Sequence, residues 1–151
     1  MSVDPTARPA RILLVDDDED IALLTREAYR RTGLAVQMDH VDSGAGALDL
    51  LRDRTARAED TDLVLLDLHM PDMDGDEVLA RINEDPSLDG IPVVVLTGAA
   101  SQTELDRLQR LGCSACIPKS LTMRDYIDDL RRITMQWAVP SVLRRATPER
   151  A

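Results

Sequence analysis

Apolar and polar positions along the chain follow two alternating periods. Five short apolar runs are typical of β-strands: residues 11–15, 35–41, 63–66, 91–96 and 115–117. Stretches of helical periodicity follow each of them, at 20–32, 44–57, 75–84, 102–111 and 123–138. The runs ILLV, LVLL and IPVVVL are apolar without interruption, as in strands buried on both faces of a sheet. The pattern predicts an α/β protein in which a five-stranded parallel sheet carries helices on both faces.

Local sequence marks several helix boundaries. Ser101 and Glu104 form a capping box, and Thr122 with Asp125 forms a weaker version of it. An apolar stripe along the last helix is predicted to face the core: Met123, Tyr126, Ile127, Leu130, Ile133 and Trp137. Trp137 stands near the far end of this helix and is the member expected to extend beyond the core.

Length and composition predict one globular domain. A chain of 151 residues with 44% hydrophobic and 30% charged residues can build a core of ordinary size. We assign the folded domain to residues 10–138, with a flexible N-terminal tail at 1–9 and a C-terminal tail at 139–151.

Charge and hydropathy exclude two classes of partner. A net charge of −10 would repel nucleic acid and anionic membranes. The apolar runs are much shorter than the roughly 20 residues of a membrane helix. The N-terminus lacks the apolar segment of a secretory signal, so we expect a cytoplasmic protein.

Cys113 and Cys116 form a single C-x-x-C pair. A redox pair or half of a zinc site is one interpretation, but the sequence offers no second ligand pair with suitable spacing. A thioredoxin-like motif opens a helix, whereas CSACIP leads into an apolar run. We therefore expect ordinary loop and strand cysteines in a reducing compartment.

Chemically active residues stand where the predicted strands end. Asp16 and Asp17 follow the first strand, Asp67 the third, Thr97 the fourth and Lys119 the fifth. Ligand sites of parallel α/β sheets form outside the carboxyl ends of the strands, so these side chains are expected on one rim.

That set of side chains suits phosphoryl transfer. Neighbouring carboxylates attract a cation, and oxygen ligands with a phosphate favour Mg²⁺. An ammonium and a hydroxyl can contact the oxygens of a phosphoryl group, and the carboxylate of Asp67 can act as its nucleophile. From spacing alone, a buried ion pair between Lys119 and an aspartate remains an equal alternative. An EF-hand is excluded by the spacing of DMDGDE.

At these residues the sequence resembles the CheY-like receiver domains of two-component response regulators. Four motifs carry the resemblance, in family order: ILLVDDDED, LLDLHMPDMDG, VVVLTG and CIPKS. The resemblance covers roughly residues 10–138 and implies a flavodoxin-like, doubly wound sheet in the order 2-1-3-4-5 with five helices.

The resemblance also implies a role for each residue. Asp67 would accept a phosphoryl group from a sensor histidine kinase. Asp17, Asp67 and the backbone carbonyl of His69 would hold Mg²⁺, with Asp16 acting largely through water. Thr97 and Lys119 would bind phosphoryl oxygens. The His69 side chain is either an ordinary loop residue or a modulator of phosphoryl hydrolysis.

Two positions depart from the family pattern. Ser120 follows the lysine where the family usually has proline, so the Lys119–Ser120 peptide is predicted to be trans. Cys116 replaces the aromatic residue that usually stands three positions before the lysine and turns inward on activation. The usual coupling between threonine and aromatic ring therefore cannot operate here.

Partners follow from the same resemblance. Single-domain regulators of bacterial phytochromes look similar, which suggests a bacteriophytochrome kinase, and a histidine phosphotransfer protein is the other partner considered. That subfamily is often a homodimer through the fourth helix, fifth strand and fifth helix, with Tyr126 and Trp137 as contacts unless they pack in the core.

Two other functions stay open. A phosphorylation-independent adaptor would keep the fold alone, and Cys116 and Ser120 favour it. A small-phosphate hydrolase would need a second acid two residues after Asp67, where His69 stands.

Overall fold

A computed structural model describes residues 8–71, 73–98, 101–119 and 122–146, with side chains up to 143. Five strands and six α-helices follow one another in this order: β1 (Ala10–Val15), α1 (Glu19–Thr32), β2 (Val36–Val41), α2 (Gly44–Ala56), β3 (Leu63–Asp67), α3 (Gly75–Glu84), β4 (Val93–Thr97), α4 (Gln102–Arg110), β5 (Ala115–Pro118), α5 (Met123–Ile133) and α6 (Val139–Ala146). A 3₁₀ turn at Pro86–Leu88 precedes β4, and a π-helical turn at Thr134–Ala138 joins α5 to α6.

All strand pairs are parallel, and the sheet order is β2-β1-β3-β4-β5. The predicted fold class and strand order are therefore confirmed, as is the edge position of β2. The helices that connect the parallel strands lie on both faces of the sheet, so each face has a core of its own.

Each face of the sheet buries its own apolar cluster. Successive side chains of a strand point to opposite faces. In β1, Ile12 and Leu14 accordingly join the cluster beneath α1 and α5, whereas Leu13 and Val15 join the one beneath α2 and α3. The uninterrupted apolar runs of the sequence correspond to these strands buried on both faces.

The element boundaries differ slightly from the predicted ones. β4 begins at Val93 instead of residue 91, because Pro92 has no N–H group for the ladder. β3 extends one residue further and ends on Asp67 itself. The capping prediction for α4 is confirmed, since the Ser101 hydroxyl accepts a hydrogen bond from the Glu104 amide at 3.1 Å.

The C-terminal segment is more ordered than predicted. We expected a tail from residue 139, but 139–146 form α6, and Ser141 and Val142 are buried. Pro140 lacks an N–H group and crowds the preceding turn, which is the usual cause of a local defect in a helix. The π-helical turn just before Pro140, with the Val139 amide bonded to the Thr134 carbonyl, lets the helical path continue.

Residue 8, which we had placed in the N-terminal tail, takes part in a buried ion pair. The Arg8 guanidinium donates two hydrogen bonds to the fully buried Asp62 carboxylate, at 2.6 and 2.9 Å. The Arg11 amide and the Ser141 hydroxyl each donate another, at 2.8 Å. Asp62 thus connects the N-terminal segment, the start of β3 and α6. Burial alone would raise the pKa of Asp62, but the hydrogen bonds and the Arg8 charge lower it overall.

We expect Arg8→Met to lower the free energy of unfolding by about 1–3 kcal/mol at neutral pH, because a buried carboxylate loses its cation. The loss in unfolding free energy stays below that of a fully buried pair, because Arg8 is 27% exposed and solvent screens its charge. Asp62 has a lower pKa when folded than when unfolded, so its stabilisation is present above the ordinary value of 3.8 and disappears as the pH falls through the folded pKa. The difference between variant and wild type should therefore shrink in acid. Urea unfolding followed by Trp137 fluorescence at neutral and acidic pH measures it.

Arg30→Met is the matched control. Arg30 pairs with Glu27 on the exposed side of α1, where solvent screens the charges, so its loss should change stability far less than the loss of Arg8. Equal effects of the two substitutions would contradict a stabilising role for the Arg8–Asp62 pair.

Candidate functional site

Five side chains from four strand ends converge on one rim of the sheet. Asp16 and Asp17 follow β1, Asp67 ends β3, Thr97 ends β4, and Lys119 follows β5. β1, β3 and β4 are neighbours in the sheet, and the Lys119 amide donates to the Thr97 carbonyl at 2.8 Å. The convergence expected from the sequence is thus present in the fold.

Three carboxylates form the acidic part of the site. Asp16, Asp17 and Asp67 each place an oxygen within 4.8 Å of the others. Asp16 and Asp67 are buried, at 0% and 3% exposure, whereas Asp17 is exposed. The group is therefore open to solvent on the Asp17 side and enclosed on the other.

Lys119 supplies the positive charge. Its Nζ lies 2.9 Å from Asp67 Oδ1 and 4.0 Å from Asp16 Oδ2. Partial burial lowers the pKa of Lys119, but the hydrogen bond to Asp67 and the charges of the three aspartates outweigh it and raise the pKa. Lys119 is also the only lysine of the chain, all other cationic side chains being arginines. An ammonium is a compact point charge, unlike the planar guanidinium fork of arginine.

Two buried polar atoms at this rim have no hydrogen-bond partner within the described residues: Asp16 Oδ2 and Thr97 Oγ1. Buried polar groups are normally paired, so unpaired ones mark places where a ligand or water belongs. Burial, followed by the neighbouring charges of Asp67 and Asp17, raises the pKa of Asp16 although the Asp18 amide and Lys119 oppose this. A divalent cation would relieve the repulsion, and three carboxylates suit a hard metal ion.

Gly75, the first residue of α3, lets this helix pack directly against the backbone of Asp67. A β-carbon at Gly75 would lie 2.3 Å from the Asp67 carbonyl oxygen and 2.8 Å from the Leu68 α-carbon. The Gly75 amide also donates to the Leu68 carbonyl at 2.9 Å. The glycine of the MPDMDG segment is thus required because the start of α3 lies so close to the backbone of Asp67 and Leu68. This contact helps to fix the position of Asp67.

His40 is a residue of this site that the sequence analysis missed. Its Nε2 lies 2.7 Å from the backbone oxygen of Asp16. Because a carbonyl only accepts, Nε2 carries the hydrogen. The bond holds the peptide that joins Asp16 to Asp17, and it depends on the β1–β2 register, which pairs Leu14 with His40. A histidine near the end of the second strand was the only signal for it in the sequence.

We expect His40→Ala to weaken binding of a divalent cation about tenfold, because the peptide between two of the acids loses its anchor. Binding of Mn²⁺, measured by electron paramagnetic resonance, tests this without any activity assay. His40→Gln can place an N–H donor at the same position and should restore most of the affinity. If both variants bind Mn²⁺ as the wild type does, His40 does not position the acids.

His69 and the lysine loop complete the rim. The His69 side chain is exposed, and its amide lies 3.4 Å from Asp67 Oδ1, so only a weak bond joins them. The predicted trans peptide after Lys119 involves Ser120, which lies outside the described residues.

The two candidate dimer contacts pack within the monomer. Tyr126 is buried, and its hydroxyl lies 2.6 Å from the Thr25 hydroxyl of α1. Trp137 is partly buried against the same core. Core packing, one of the two interpretations of these residues, is therefore confirmed for Tyr126. The predicted helical stripe as a whole joins the core beneath α1 and α5.

The sequence matches the family model described as response regulator receiver domain over residues 12–131. The match covers most of the chain, and the chain belongs to this family. The resemblance seen in the sequence is confirmed, and the chain is a receiver-domain response regulator of two-component signalling.

Three relatives illustrate the similarity. The chain is 35% identical to the probable methanogenesis regulatory protein FilR2 of Methanothrix harundinacea, over 85% of this chain and 84% of that one. The phosphorylated cyanobacterial phytochrome response regulator RcpA shares 33% identity and a TM-score of 0.76, with 85% and 94% of the two chains covered. The Mn²⁺-bound form of response regulator Rcp1, a protein of Synechocystis, shares 30% identity and a TM-score of 0.72, with 83% of this chain and 92% of that one covered.

Receiver domains bind divalent metal, and the Asp16–Asp17–Asp67 cluster is present here. Within the described residues, no helix is both long and apolar enough to cross a membrane.

Proposed function

We propose that this protein accepts a phosphoryl group on Asp67 from the phosphohistidine of a sensor kinase, with Mg²⁺ as the metal, and signals through its own surface. The supporting observation is the contact between Lys119 Nζ and Asp67 Oδ1, beside two buried oxygens that have no hydrogen-bond partner among the described residues. An ion pair whose role is only structural gives no reason for Asp16 Oδ2 and Thr97 Oγ1 to lack hydrogen-bond partners among the described residues.

The chain's own residues have separable tasks in this reaction. An Asp67 carboxylate oxygen attacks phosphorus while the bond from phosphorus to the histidine nitrogen breaks, and the histidine takes up a proton. Lys119 donates to one phosphoryl oxygen and Thr97 Oγ1 to another, so negative charge is neutralised as it moves. Positioning and electrostatics supply most of the catalysis in such transfers.

Asp17, Asp67 and the backbone carbonyl of His69 would hold Mg²⁺, with Asp16 acting through water. When bound, the ion would neutralise charge on the carboxylates and phosphoryl oxygens. The exposed side of the cluster, at Asp17, is where the ion can retain water ligands, as Mg²⁺ usually does.

Incubation with phosphoramidate, a small donor with a phosphorus–nitrogen bond, tests the proposal. We expect intact-protein mass spectrometry to show one added phosphoryl group with Mg²⁺ and none with a chelator. Hydroxylamine should remove the group, because it cleaves acyl phosphates. Borohydride reduction should convert the modified carboxyl to an alcohol at Asp67. Absence of labelling would favour the phosphorylation-independent adaptor instead, and a mark at another residue would refute Asp67 as the acceptor.

Replacing His69 should change the lifetime of the phosphoryl group more than its formation. The imidazole is exposed and stands two residues after Asp67, so an effect on the water that attacks the phosphoryl group is the role proposed for it. We expect His69→Ala to change the decay rate about threefold or more, with the labelling rate less affected. Radiolabel decay after removal of the donor measures this, and an unchanged decay rate would leave His69 as an ordinary loop residue.

The partner is proposed from the relatives. RcpA is a phytochrome response regulator, and the chain is similar to it over most of its length, so a phytochrome-type histidine kinase is the proposed donor. A histidine phosphotransfer protein offers the same phosphohistidine chemistry. Phosphotransfer from each purified donor distinguishes the two. The homodimer through α4, β5 and α5 remains a prediction, which sedimentation of the phosphorylated protein would test.

A further inference from the structure

The fold brings the two cysteines into contact. Cys113 Sγ and Cys116 Sγ lie 3.7 Å apart, and both residues are half-buried. The sequence predicts ordinary cysteines, one in a loop and one in a strand. Their elements are as expected, but the sulfur atoms face one another.

Backbone hydrogen bonds on both sides hold this arrangement. The Cys113 amide donates to the Leu108 carbonyl of α4 at 3.1 Å, and the Ser114 amide to the Val93 carbonyl of β4 at 2.8 Å. Gly112, with φ of 100°, makes the turn that sends the chain back towards the sheet. Cys116 is paired with Val95 in the β4–β5 ladder. The short distance between the two sulfur atoms is therefore imposed by the end of α4 and by the β4–β5 ladder.

We propose that Cys113 and Cys116 form an oxidisable dithiol that closes to an intramolecular disulfide on reaction with small disulfides of the glutathione type. A disulfide has a sulfur–sulfur length of about 2.05 Å, so the pair must approach by less than 2 Å. Side-chain rotation and a small shift of the half-buried turn at 111–114 can supply this movement. No second pair of ligands lies nearby among the described residues, where the only metal-type cluster is the aspartate group, so a zinc site is not supported.

The exchange takes place in two balanced steps. Cys116 loses its proton and attacks one sulfur of the small disulfide, which gives a mixed disulfide and releases one small thiol. Cys113 then loses its proton and attacks the Cys116 sulfur, which closes the ring and releases the second thiol. The protein loses two hydrogen atoms, and the small disulfide gains them.

The surroundings of the two thiols set the order and speed of these steps. Burial raises the pKa of both thiols, and the pKa of Cys113 reaches about 12. For Cys116, the hydrogen bond from Cys113 offsets part of that increase, which makes Cys116 the better first nucleophile. Oxidation should therefore be slow at neutral pH and accelerate in alkali.

Disulfide formation would also add a covalent link beside the proposed phosphoryl site. Cys116 stands three residues before Lys119 on the segment that carries the lysine to Asp67. The link would join the turn after α4 to β5. The proposal about the thiols does not depend on the proposed phosphorylation, because its measurements involve only thiol chemistry.

Equilibration of the full chain in mixtures of reduced and oxidised glutathione tests the proposal. We expect a species lighter by two hydrogen atoms, with Cys113 and Cys116 joined in its peptide map. The equilibrium constant for ring closure should be about tenfold or more larger in the native protein than in guanidinium, because the fold holds the sulfurs together. By linkage, the oxidised protein should then resist urea better than the reduced one.

Cys113→Ser and Cys116→Ser serve as controls. Each single-thiol variant should stop at the glutathione mixed disulfide. Three results would overturn the proposal: no oxidation of the native protein, accumulation of the mixed disulfide in the wild type, or an equilibrium constant no larger than in guanidinium. The last comparison uses only the wild-type chain and remains valid if a variant fails to fold.

Discussion

Replacing Asp67 with asparagine is expected to abolish the uptake of a phosphoryl group from phosphoramidate. The carboxylate is the proposed nucleophile, and an amide oxygen is a far weaker one. The substitution changes charge but hardly changes volume, so the buried position should still be filled. The amide oxygen can still accept from Lys119, but the negative charge that lies 2.9 Å from Nζ is lost, so the charge balance of the site changes as well. Intact-protein mass spectrometry with Mg²⁺ and donor measures the loss.

Asp49→Asn provides the comparison for this experiment. Asp49 is an exposed acid on α2 and lies outside the site, so this variant should be labelled at the wild-type rate. Urea unfolding of both variants would show whether each retains its fold. Normal labelling of Asp67→Asn at any position would refute the assignment of the nucleophile.

The second large effect is expected at Lys119. Lys119→Met keeps the length of the side chain but removes its charge and its hydrogen-bond donors. Loss of one such donor to a developing charge typically costs about a hundredfold to a thousandfold in rate. We therefore expect phosphoramidate labelling of Asp67 to slow by that factor, measured under single-turnover conditions.

Metal binding separates this chemical role from a structural one. Nζ lies close to both Asp67 and Asp16, so its removal takes a positive charge away from the cation site. Lys119→Met should therefore bind Mn²⁺ at least as tightly as the wild type while labelling slowly. Lys119→Arg keeps the charge but not the compact ammonium, so its labelling rate should fall between that of the wild type and that of Lys119→Met. A methionine variant that labels at the wild-type rate would exclude a catalytic role for Lys119.

The sheet could be predicted because two independent patterns in the sequence identify its strands. Each central strand is a continuous apolar run, and each is separated from the next by a helix of clear amphipathic period. Such a βαβ succession restricts the strands to parallel pairing with right-handed crossovers. The boundaries were less certain, as at Pro92, where a missing N–H group shortens the start of β4.

The site was predictable for a related reason. Asp16, Asp67, Thr97 and Lys119 each stand at the end of a strand or just after it, and the ends of parallel strands meet at one edge. Proximity therefore follows from topology, and only the distances required coordinates. The roles of these residues in phosphorylation and metal binding came from the family resemblance and await the experiments above.

The contacts of Asp62 were missed because they join residues that no local pattern connects. Arg8 and Asp62 are 54 positions apart, and Asp62 and Ser141 are 79 apart. Because charge pairs carry no periodic signal, the segment beyond residue 138 was assigned to a tail instead of to α6. His40 was missed for the same reason, since its role requires the β1–β2 register.

The sequence by itself determined the fold class, the strand order through the family resemblance, and the set of residues at the rim of the sheet. These follow from hydrophobic period and from the position of polar residues at strand ends, which are local properties. Only the tertiary structure decided that Asp16 Oδ2 and Thr97 Oγ1 find no hydrogen-bond partner in the described part of the chain and that two cysteine sulfurs lie in contact. Such facts depend on side-chain packing to within about an ångström, which arises from many distant contacts at once.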